Sequence, residues 1–178
     1  SEVDEVRREL ERVITDDKRL VDESRRKNEK SIRDDEELIK TSRRINEESI
    51  RRLKELVERG VPEEELERIV KENKEKVARV VEESKRLVER NKREAEKVVE
   101  ESRRRVKRLR EELKDVVRKG VDEETLRRLV KRLDETSEEL EDENRRLNET
   151  LKRSSDELRK TNEELNKRLK EVVDRAKK

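Results

Sequence analysis

The chain of 178 residues contains no cysteine, no histidine and no aromatic residue. Without cysteine there is no disulfide or thiol chemistry to expect, and without histidine the commonest general base and metal ligand is missing. No apolar run approaches the roughly 18 residues that a membrane-spanning helix needs, and no signal peptide opens the sequence. We therefore expect a soluble chain with no metal, no cofactor and no membrane partner, and its location cannot be read from a targeting signal.

Charged residues are abundant, at 58% of the chain, while apolar residues make up only 26%. Such a composition can indicate disorder, but disorder also requires a high net charge. Here 53 Lys and Arg residues nearly cancel 51 Asp and Glu residues, which leaves a net charge of +2. A thin bundle of long helices has little interior per residue, so this apolar fraction can fill it. The balanced charge also predicts no nucleic acid partner and no attraction to anionic lipid.

Helix-breaking residues are confined to Gly60, Pro62 and Gly120. They divide a sequence rich in the helix formers Glu, Lys, Arg and Leu into three segments of nearly equal length. Both glycines suit the left-handed position that ends a helix, and short connections make consecutive helices antiparallel neighbours. We predict an all-α fold, a straight antiparallel three-helix bundle (up-down-up) that forms one domain over residues 1–178. Its helices should span about residues 2–58, 62–118 and 122–176.

An 18-residue repeat runs through all three predicted helices. The first helix reads ITDDKRLVDESRRKNEKS and then IRDDEELIKTSRRINEES, with ten of 18 positions identical. The second repeats VVEESKRLVERNKREAEK as VVEESRRRVKRLREELKD, and the third repeats LVKRLDETSEELEDENRR as LNETLKRSSDELRKTNEE. Eighteen residues make five turns of an α-helix, so the period predicts straight helices without supercoiling.

Asn, Ser and Asp recur in phase with the apolar positions of this repeat. If the helices alternate in direction, residue i of the first helix faces about residue 120 − i of the second and about residue 120 + i of the third. Polar positions then meet polar positions, and we predict a structural network of buried side chains. Its members are Asn28 with Asn91 and Asn148, Asn46 with Asn73 and Asn166, Asp17 with Ser102 and Ser137, Asp35 with Ser84 and Ser155, Ser24 with Asn144, and Ser42 with Asn162.

Apolar levels should enclose the polar ones. The same alignment brings together Leu10, Leu109 and Val130 on one side, and Leu53, Leu66 and Val173 on the other. Buried amides and hydroxyls are tolerable only when they are connected, and a connected set penalises wrong helix registers. Two other interpretations stay open: the polar residues could be ordinary surface residues, or they could line a water-filled axis or a groove for an added helix.

Arg105 breaks the repeat, because Ile69 and Leu87 occupy the equivalent positions. The alignment places it beside Asp16 and Asp17. It can form an ion pair there, or it can extend along the edge of the apolar stripe so that its charged end reaches solvent.

Features of an active site are missing. Asp16–Asp17 and Asp34–Asp35 are paired carboxylates, but di-metal helical bundles use Glu together with Glu-x-x-His motifs, and this chain has no His. No nucleophile, oxyanion donor set or Gly-rich phosphate loop accompanies the carboxylates. We expect no enzymatic activity and assign no catalytic, cofactor-binding or metal-ligating residue.

The equal helices, the idealised GVPEE and GVDEE connections, the Arg/Glu/Lys surfaces and the repeated Asn and Ser levels resemble de novo designed, parametrically generated helical bundles with buried hydrogen-bond networks. The resemblance covers the whole chain. It implies a recombinant structural scaffold without natural biochemical activity. The alternative is a helical oligomerisation or binding module that associates, through its polar-network face, with copies of itself or with a designed helical partner.

Overall fold

The computed structural model describes residues 2–118 and 123–176, which form three long α-helices. These are α1 (Glu2–Arg59), α2 (Glu63–Arg118) and α3 (Glu123–Ala176), and the described residues contain no β-strand. The expected all-α, three-helix fold class is confirmed. The predicted helix-ending role of Gly120 and a third helix starting at residue 122 lie outside the described residues.

The connection between α1 and α2 ends one helix and starts the next within a few residues. Gly60 has a φ of 71°, the left-handed conformation that the sequence predicts for it. The amide of Gly60 donates to the carbonyl of Val57 at 3.1 Å, and that of Val61 donates to Leu56 at 3.2 Å. These two bonds make a Schellman motif, which satisfies carbonyls left without partners at the end of α1.

The second helix starts one residue later than the sequence predicts. Pro62 lies just before α2 rather than inside it, and its carbonyl accepts a hydrogen bond from the amide of Glu65 at 3.1 Å. Glu63, Glu64 and Glu65 then occupy the first turn, where their negative charge is favourable next to the positive end of the helix.

The directions of the helices follow from the side-chain hydrogen bonds between them. Within residues 31–89 and 150–178, Asp35 of α1 is bonded to Ser84 of α2 and Asn46 to Asn73, so the partner numbers on α2 fall as those on α1 rise. Partner numbers on α3 rise instead, from Ser154 bonded to Asp35 to Asn162 bonded to Asn46. Helix α2 is therefore antiparallel to the other two, as the short connections predict.

The chain divides into two compact units, each of which takes one part of every helix. Unit 1 comprises Ser1–Lys30 and Arg90–Glu149, and unit 2 comprises Ser31–Glu89 and Thr150–Lys178. The expectation of a single bundle over residues 1–178 stays a prediction.

Each unit has its own apolar core. Leu10 and Leu109 are buried in the core of unit 1 with Val130 packed against them, and Leu53, Leu66 and Val173 are buried together in unit 2. Both predicted apolar levels are thus confirmed. The remaining buried members are Val6, Val13, Ile14, Val106, Leu113, Leu126, Leu129 and Leu133 in unit 1, and Ile69, Val70 and Leu169 in unit 2.

Candidate functional site

A fully buried carboxylate, Asp17 of α1, is the centre of a polar cluster in unit 1. The hydroxyl of Ser102 donates to Asp17 Oδ2 at 3.4 Å and lies 3.3 Å from the hydroxyl of Ser137, so all three helices contribute. The guanidinium of Arg105 donates from Nη2 to Asp17 Oδ1 at 3.0 Å. The structure thus brings together the three side chains of this predicted level and adds the residue that breaks the repeat.

Burial and the nearby cation Arg105 have opposite effects on the pKa of Asp17 in this cluster. Burial raises the pKa of Asp17, the charge of Arg105 and the hydrogen bond from Ser102 lower it, and the neighbouring Asp16 raises it, with a net upward shift. The side chain of Arg105 is 27% exposed and that of Asp17 is 0% exposed. Of the two interpretations of Arg105, the ion pair with Asp17 is therefore the one observed.

Asp35 of α1 is the corresponding carboxylate in unit 2, one repeat further along the helix. Its Oδ1 accepts a hydrogen bond from Ser84 of α2 at 3.1 Å, and its Oδ2 accepts one from Ser154 of α3. The sequence alignment assigned Ser155 to this level, and Ser155 is buried, but the hydroxyl that reaches Asp35 belongs to its neighbour. The alignment is only good to one or two residues, which accounts for the difference.

Amide side chains from all three helices form a connected network in unit 2. Asn73 donates from Nδ2 to Asn46 Oδ1 at 3.1 Å, and Asn46 donates from Nδ2 to Asn162 Oδ1 at 3.2 Å. The hydroxyl of Ser42 donates to the same Asn162 oxygen at 2.7 Å, and that of Ser49 donates to Asn73 Oδ1 at 2.7 Å. These five residues, which we call the unit 2 amide network, connect all three helices, and Asn162 Nδ2 is a buried atom of the network without a hydrogen-bond partner among the described residues.

The predicted α3 partner of Asn46 differs from the observed one. The alignment selected Asn166, whereas the bond is made by Asn162, one helical turn earlier. Asn166 is half-buried, and its Oδ1 is a buried atom without a hydrogen-bond partner in the described part of the chain. Ser49 was missing from the predicted set, although it shares the centre of the inward-facing stripe of α1, and that position was the signal that could have identified it.

The equivalent amides in unit 1 are arranged differently. Asn28 donates from Nδ2 to the backbone carbonyl and to the carboxylate of Glu143, at 3.3 Å each. Asn144 turns back on its own helix and donates to the carbonyl of Leu140 at 2.8 Å. Together with Ser24 and Asn91, these two asparagines line a small cavity of about 30 Å³.

Asn148, the predicted third member of the Asn28 and Asn91 level, is half-buried and does not line that cavity. Its Oδ1 is another buried atom that lacks a hydrogen-bond partner among the residues described. The α3 residue beside Asn28 is again about one turn earlier than the alignment places it. The predicted pair of Ser42 and Asn162 is bonded as the alignment places it, so the register itself holds there. At Asn28 and Asn46, the α3 residue that makes the contact belongs to the preceding turn.

Interhelical ion pairs on the surface add to these buried contacts. Arg25 lies 2.8 Å from Glu139, and Arg103 lies 2.6 Å from Glu141, with the arginine side chains half exposed or more. Exposed pairs of this kind contribute about 0–1 kcal/mol each. They are therefore minor compared with the buried groups in deciding how the helices align.

Two carboxyl groups also meet in unit 1, Glu9 on α1 and Glu112 on α2. Partial burial raises the pKa of Glu112, the hydrogen bond and the charge of Glu9 raise it further, and Arg108 lowers it. Within residues 2–118 and 123–176, no group of three or more His, Cys, Asp or Glu side chains is placed to hold a metal ion. In the same residues, no helix combines the length and the apolar character needed to cross a membrane.

The chemistry available at the buried clusters is limited by access. Ser84 is 0% exposed and Ser102 is 1% exposed, so neither hydroxyl can reach a substrate. Their carboxylate partners are equally enclosed, which leaves hydrogen bonding between helices as the role that this geometry supports.

No protein-family model and no curated protein matches this chain. A solved structure described as a computationally designed three-helix bundle is similar over 99% of this chain and 84% of its own length, with 18% sequence identity and a TM-score of 0.36. The three-helix arrangement described above rests on this chain's own helices and contacts.

Proposed function

We propose that this chain is a designed structural scaffold whose helix register is specified by buried polar networks. The observation that carries the proposal is the unit 2 amide network, in which four interhelical hydrogen bonds of 2.7–3.2 Å connect five side chains. The 18-residue repeat and the idealised Gly60 connection support a designed origin. No catalytic role is included, since Asp17, Asp35 and their partners Ser84 and Ser102 are all buried, with Ser154 as the one half-buried hydroxyl bonded to Asp35.

The physical reason for such a network is specificity rather than stability. Apolar side chains pack acceptably in several registers, whereas a buried amide that loses its partner costs about 1–3 kcal/mol. Replacing a whole buried polar set by apolar residues of similar volume is often neutral or stabilising. The network is therefore expected to exclude alternative alignments at a small cost in free energy of folding.

The test compares complete removal of the network with partial removal. A variant with Asn46, Asn73 and Asn162 all changed to Leu should stay helical and be at least as stable to denaturant, but it should lose its unique alignment. We expect several oligomeric species in light scattering and broadened amide signals in NMR spectra. Asn73→Leu alone should instead be destabilised, because Asn46 and Ser49 then lose their bonds to it.

Two results would contradict the proposal. One is a triple Leu variant that remains a single species with a sharp spectrum, since the network would then be unnecessary for specificity. The other is a triple Leu variant that fails to fold, since the network would then be a major source of stability. A variant with Leu at three exposed positions, Arg51, Glu75 and Lys160, controls for added surface hydrophobicity.

A second candidate function, binding of an added helix, is favoured by one surface of unit 1. Leu113 and Val117 of α2 and Leu126 and Val130 of α3 line an open groove of about 350 Å³, and Val117 is 37% exposed. Arg127, Lys131 and Asp134 also line this groove, and Lys114 and Arg118 line the adjoining one, so the rim is basic on balance. An amphipathic helix with acidic flanks is the occupant that fits an apolar groove with a basic rim.

Light scattering and peptide titration separate the two candidates. A particle mass near the chain mass of 21.6 kDa favours the scaffold in monomeric form, and a clean multiple favours association. A synthetic Leu/Glu amphipathic helix should bind the chain, and Val117→Glu should abolish the binding. No binding of that peptide at low salt would exclude the second candidate.

A further inference from the structure

The polar residues of the two units form two quartets of the same residue types. Ser24, Asn28, Asn91 and Asn144 of unit 1 lie one 18-residue repeat away from Ser42, Asn46, Asn73 and Asn162 of unit 2. We call these the unit 1 quartet and the unit 2 quartet. Because their side chains are identical, any difference in their hydrogen bonding must come from the surroundings.

The unit 2 quartet closes on itself. Its members are joined by three direct hydrogen bonds, and all four residues are between 1% and 4% exposed. These bonds join Asn73 of α2 to Asn46 of α1 and Asn46 to Asn162 of α3 directly, although Asn162 Nδ2 is a buried atom without a hydrogen-bond partner in the described part of the chain.

The unit 1 quartet instead surrounds the cavity of about 30 Å³, and its side chains are 6–7% exposed. Asn28 donates from Nδ2 to Glu143, and Asn144 donates from Nδ2 to the carbonyl of Leu140. These bonds use the Nδ2 atoms alone, so the Oδ1 oxygens of Asn28 and Asn144, together with the hydroxyl of Ser24, can accept further hydrogen bonds. Three polar groups with remaining capacity therefore stand at the wall of one small cavity.

The sequence explains why the two quartets differ. Ala95 lines the cavity in unit 1, whereas Val77, which is buried, occupies the equivalent place in unit 2. Lys27, an exposed residue that also lines the cavity, replaces the half-buried Ile45. Both changes remove apolar volume beside the unit 1 quartet, and the residues at both positions line the cavity.

We infer that the unit 1 quartet is a binding site for one or two ordered water molecules, which bridge Ser24, Asn28 and Asn144. A cavity needs about 10–15 Å³ to hold a water, and such a water needs two to four polar partners. Both conditions are met here. The bridging water supplies the donors and acceptors that direct bonds supply in unit 2, so two networks of the same composition work in a hydrated and a dry form. This inference does not depend on the proposed scaffold function.

The experiment uses the whole chain and a matched pair of variants. In the parent chain, we expect NMR cross-peaks between water and the side-chain amides of Asn28 and Asn144, and a high-resolution crystal structure should place water within hydrogen-bond distance of at least two of the three bridged atoms. Ala95→Val restores one of the two apolar residues that lie beside the unit 2 quartet, and by filling the cavity it should remove both signals. Val77→Ala in unit 2 is the converse change and should create a new water signal at Asn46 or Asn73.

The possible results divide clearly. Loss of the water signals in Ala95→Val with retention of the helical spectrum supports the inference. A parent chain with no water cross-peaks at Asn28 and Asn144, or a crystal structure in which these two amides bond directly to each other, overturns it. The parent measurements decide the matter even if Ala95→Val does not fold.

Discussion

Replacing Arg105 by Leu removes the cation that is paired with the buried carboxylate of Asp17, and it therefore tests how much this ion pair contributes to the stability of unit 1. The variant reproduces what the chain already has one repeat away, where Leu87 is buried in the equivalent place. There, Asp35 is held by the hydroxyls of Ser84 and Ser154, one on each carboxylate oxygen. Asp17 in the variant would keep only the hydroxyl of Ser102, at 3.4 Å.

The loss of folding free energy in Arg105→Leu can be estimated from how deeply Asp17 and Arg105 are each buried. Removing one partner of a fully buried ion pair costs about 3–5 kcal/mol, because the other charge is left uncompensated. Arg105 is 27% exposed, so solvent already screens part of its charge, and Asp17 retains a hydrogen bond. We therefore expect a loss of about 2–3 kcal/mol at pH 7. For a chain of this size, that corresponds to a fall in Tm of about 4–12 °C.

The stability difference between the parent and Arg105→Leu should depend on pH, and the direction follows from the pKa of Asp17. Burial already raises the pKa of Asp17 in the folded state, so its folded form holds a proton more tightly than its unfolded form. The associated stability is fully present below the unfolded pKa, near 3.9, and is lost as the pH rises through the folded pKa. Arg105 lowers that folded pKa, so its removal moves the window upward. The stability gap between variant and parent should therefore be widest at pH 7 and narrow as the pH falls towards 4.

Far-UV circular dichroism during denaturant titration is the appropriate assay, since the chain has no aromatic residue for fluorescence. The double variant Arg105→Leu with Asp17→Asn should recover most of the loss, because the isosteric amide carries no charge. Arg104→Leu is the control, since Arg104 is exposed and its ion pair with Glu100 lies on the surface of α2. A gap between parent and Arg105→Leu that is below 0.5 kcal/mol at pH 7, roughly the scatter of surface substitutions, or that widens on acidification, would refute the reasoning.

Three further changes test other parts of the structure by the same denaturant titration. Ser154→Ala removes the hydroxyl bonded to Asp35 Oδ2 and should cost about 1–3 kcal/mol of folding free energy, whereas Ser155→Ala should cost less. Equal losses in the two variants would show that the assignment of this contact to Ser154 is wrong. Asn166→Leu should be neutral or stabilising, because no bond to its buried Oδ1 is lost, and a marked loss would reveal a role that the contacts do not include. Gly60→Ala should cost about 1–2 kcal/mol from the left-handed φ alone, since no atom lies within 4 Å of the added carbon, and Gly60→Asn should cost less; equal stability of parent and Gly60→Ala would contradict the strain argument.

The helices and their connection were predictable because the signals are local. Gly60 ends α1 in the conformation that only glycine adopts readily, and a sequence rich in helix formers has no other way to turn. The apolar levels were predictable as well, because the 18-residue repeat fixes which positions face inward. The partners of Leu10 and Leu53 followed from the lengths of the helices and of the connections.

The asparagine partners were less predictable, because an offset of one turn preserves the face of the helix. Asn162 and Asn166 both lie near the inward stripe of α3, and an alignment by residue number cannot choose between them. The choice is made by the reach of the side chains and by the acceptors already used. Asn162 lies where its oxygen can accept from both Ser42 and Asn46, whereas Asn166 Oδ1 finds no donor.

The two quartets carry this argument one step further. Polar residue types at a repeated spacing determine which hydrogen bonds are possible, but they do not determine which of them form. Val77 accompanies direct bonds and Ala95 accompanies a cavity, so we expect the volume of the neighbouring apolar residues to influence which bonds form. A prediction of such a hydrogen-bond network therefore needs the sizes of the neighbouring apolar side chains as well as the positions of its donors and acceptors. A single methyl-scale change at residue 95 is sufficient to test whether the two quartets can be made to behave alike.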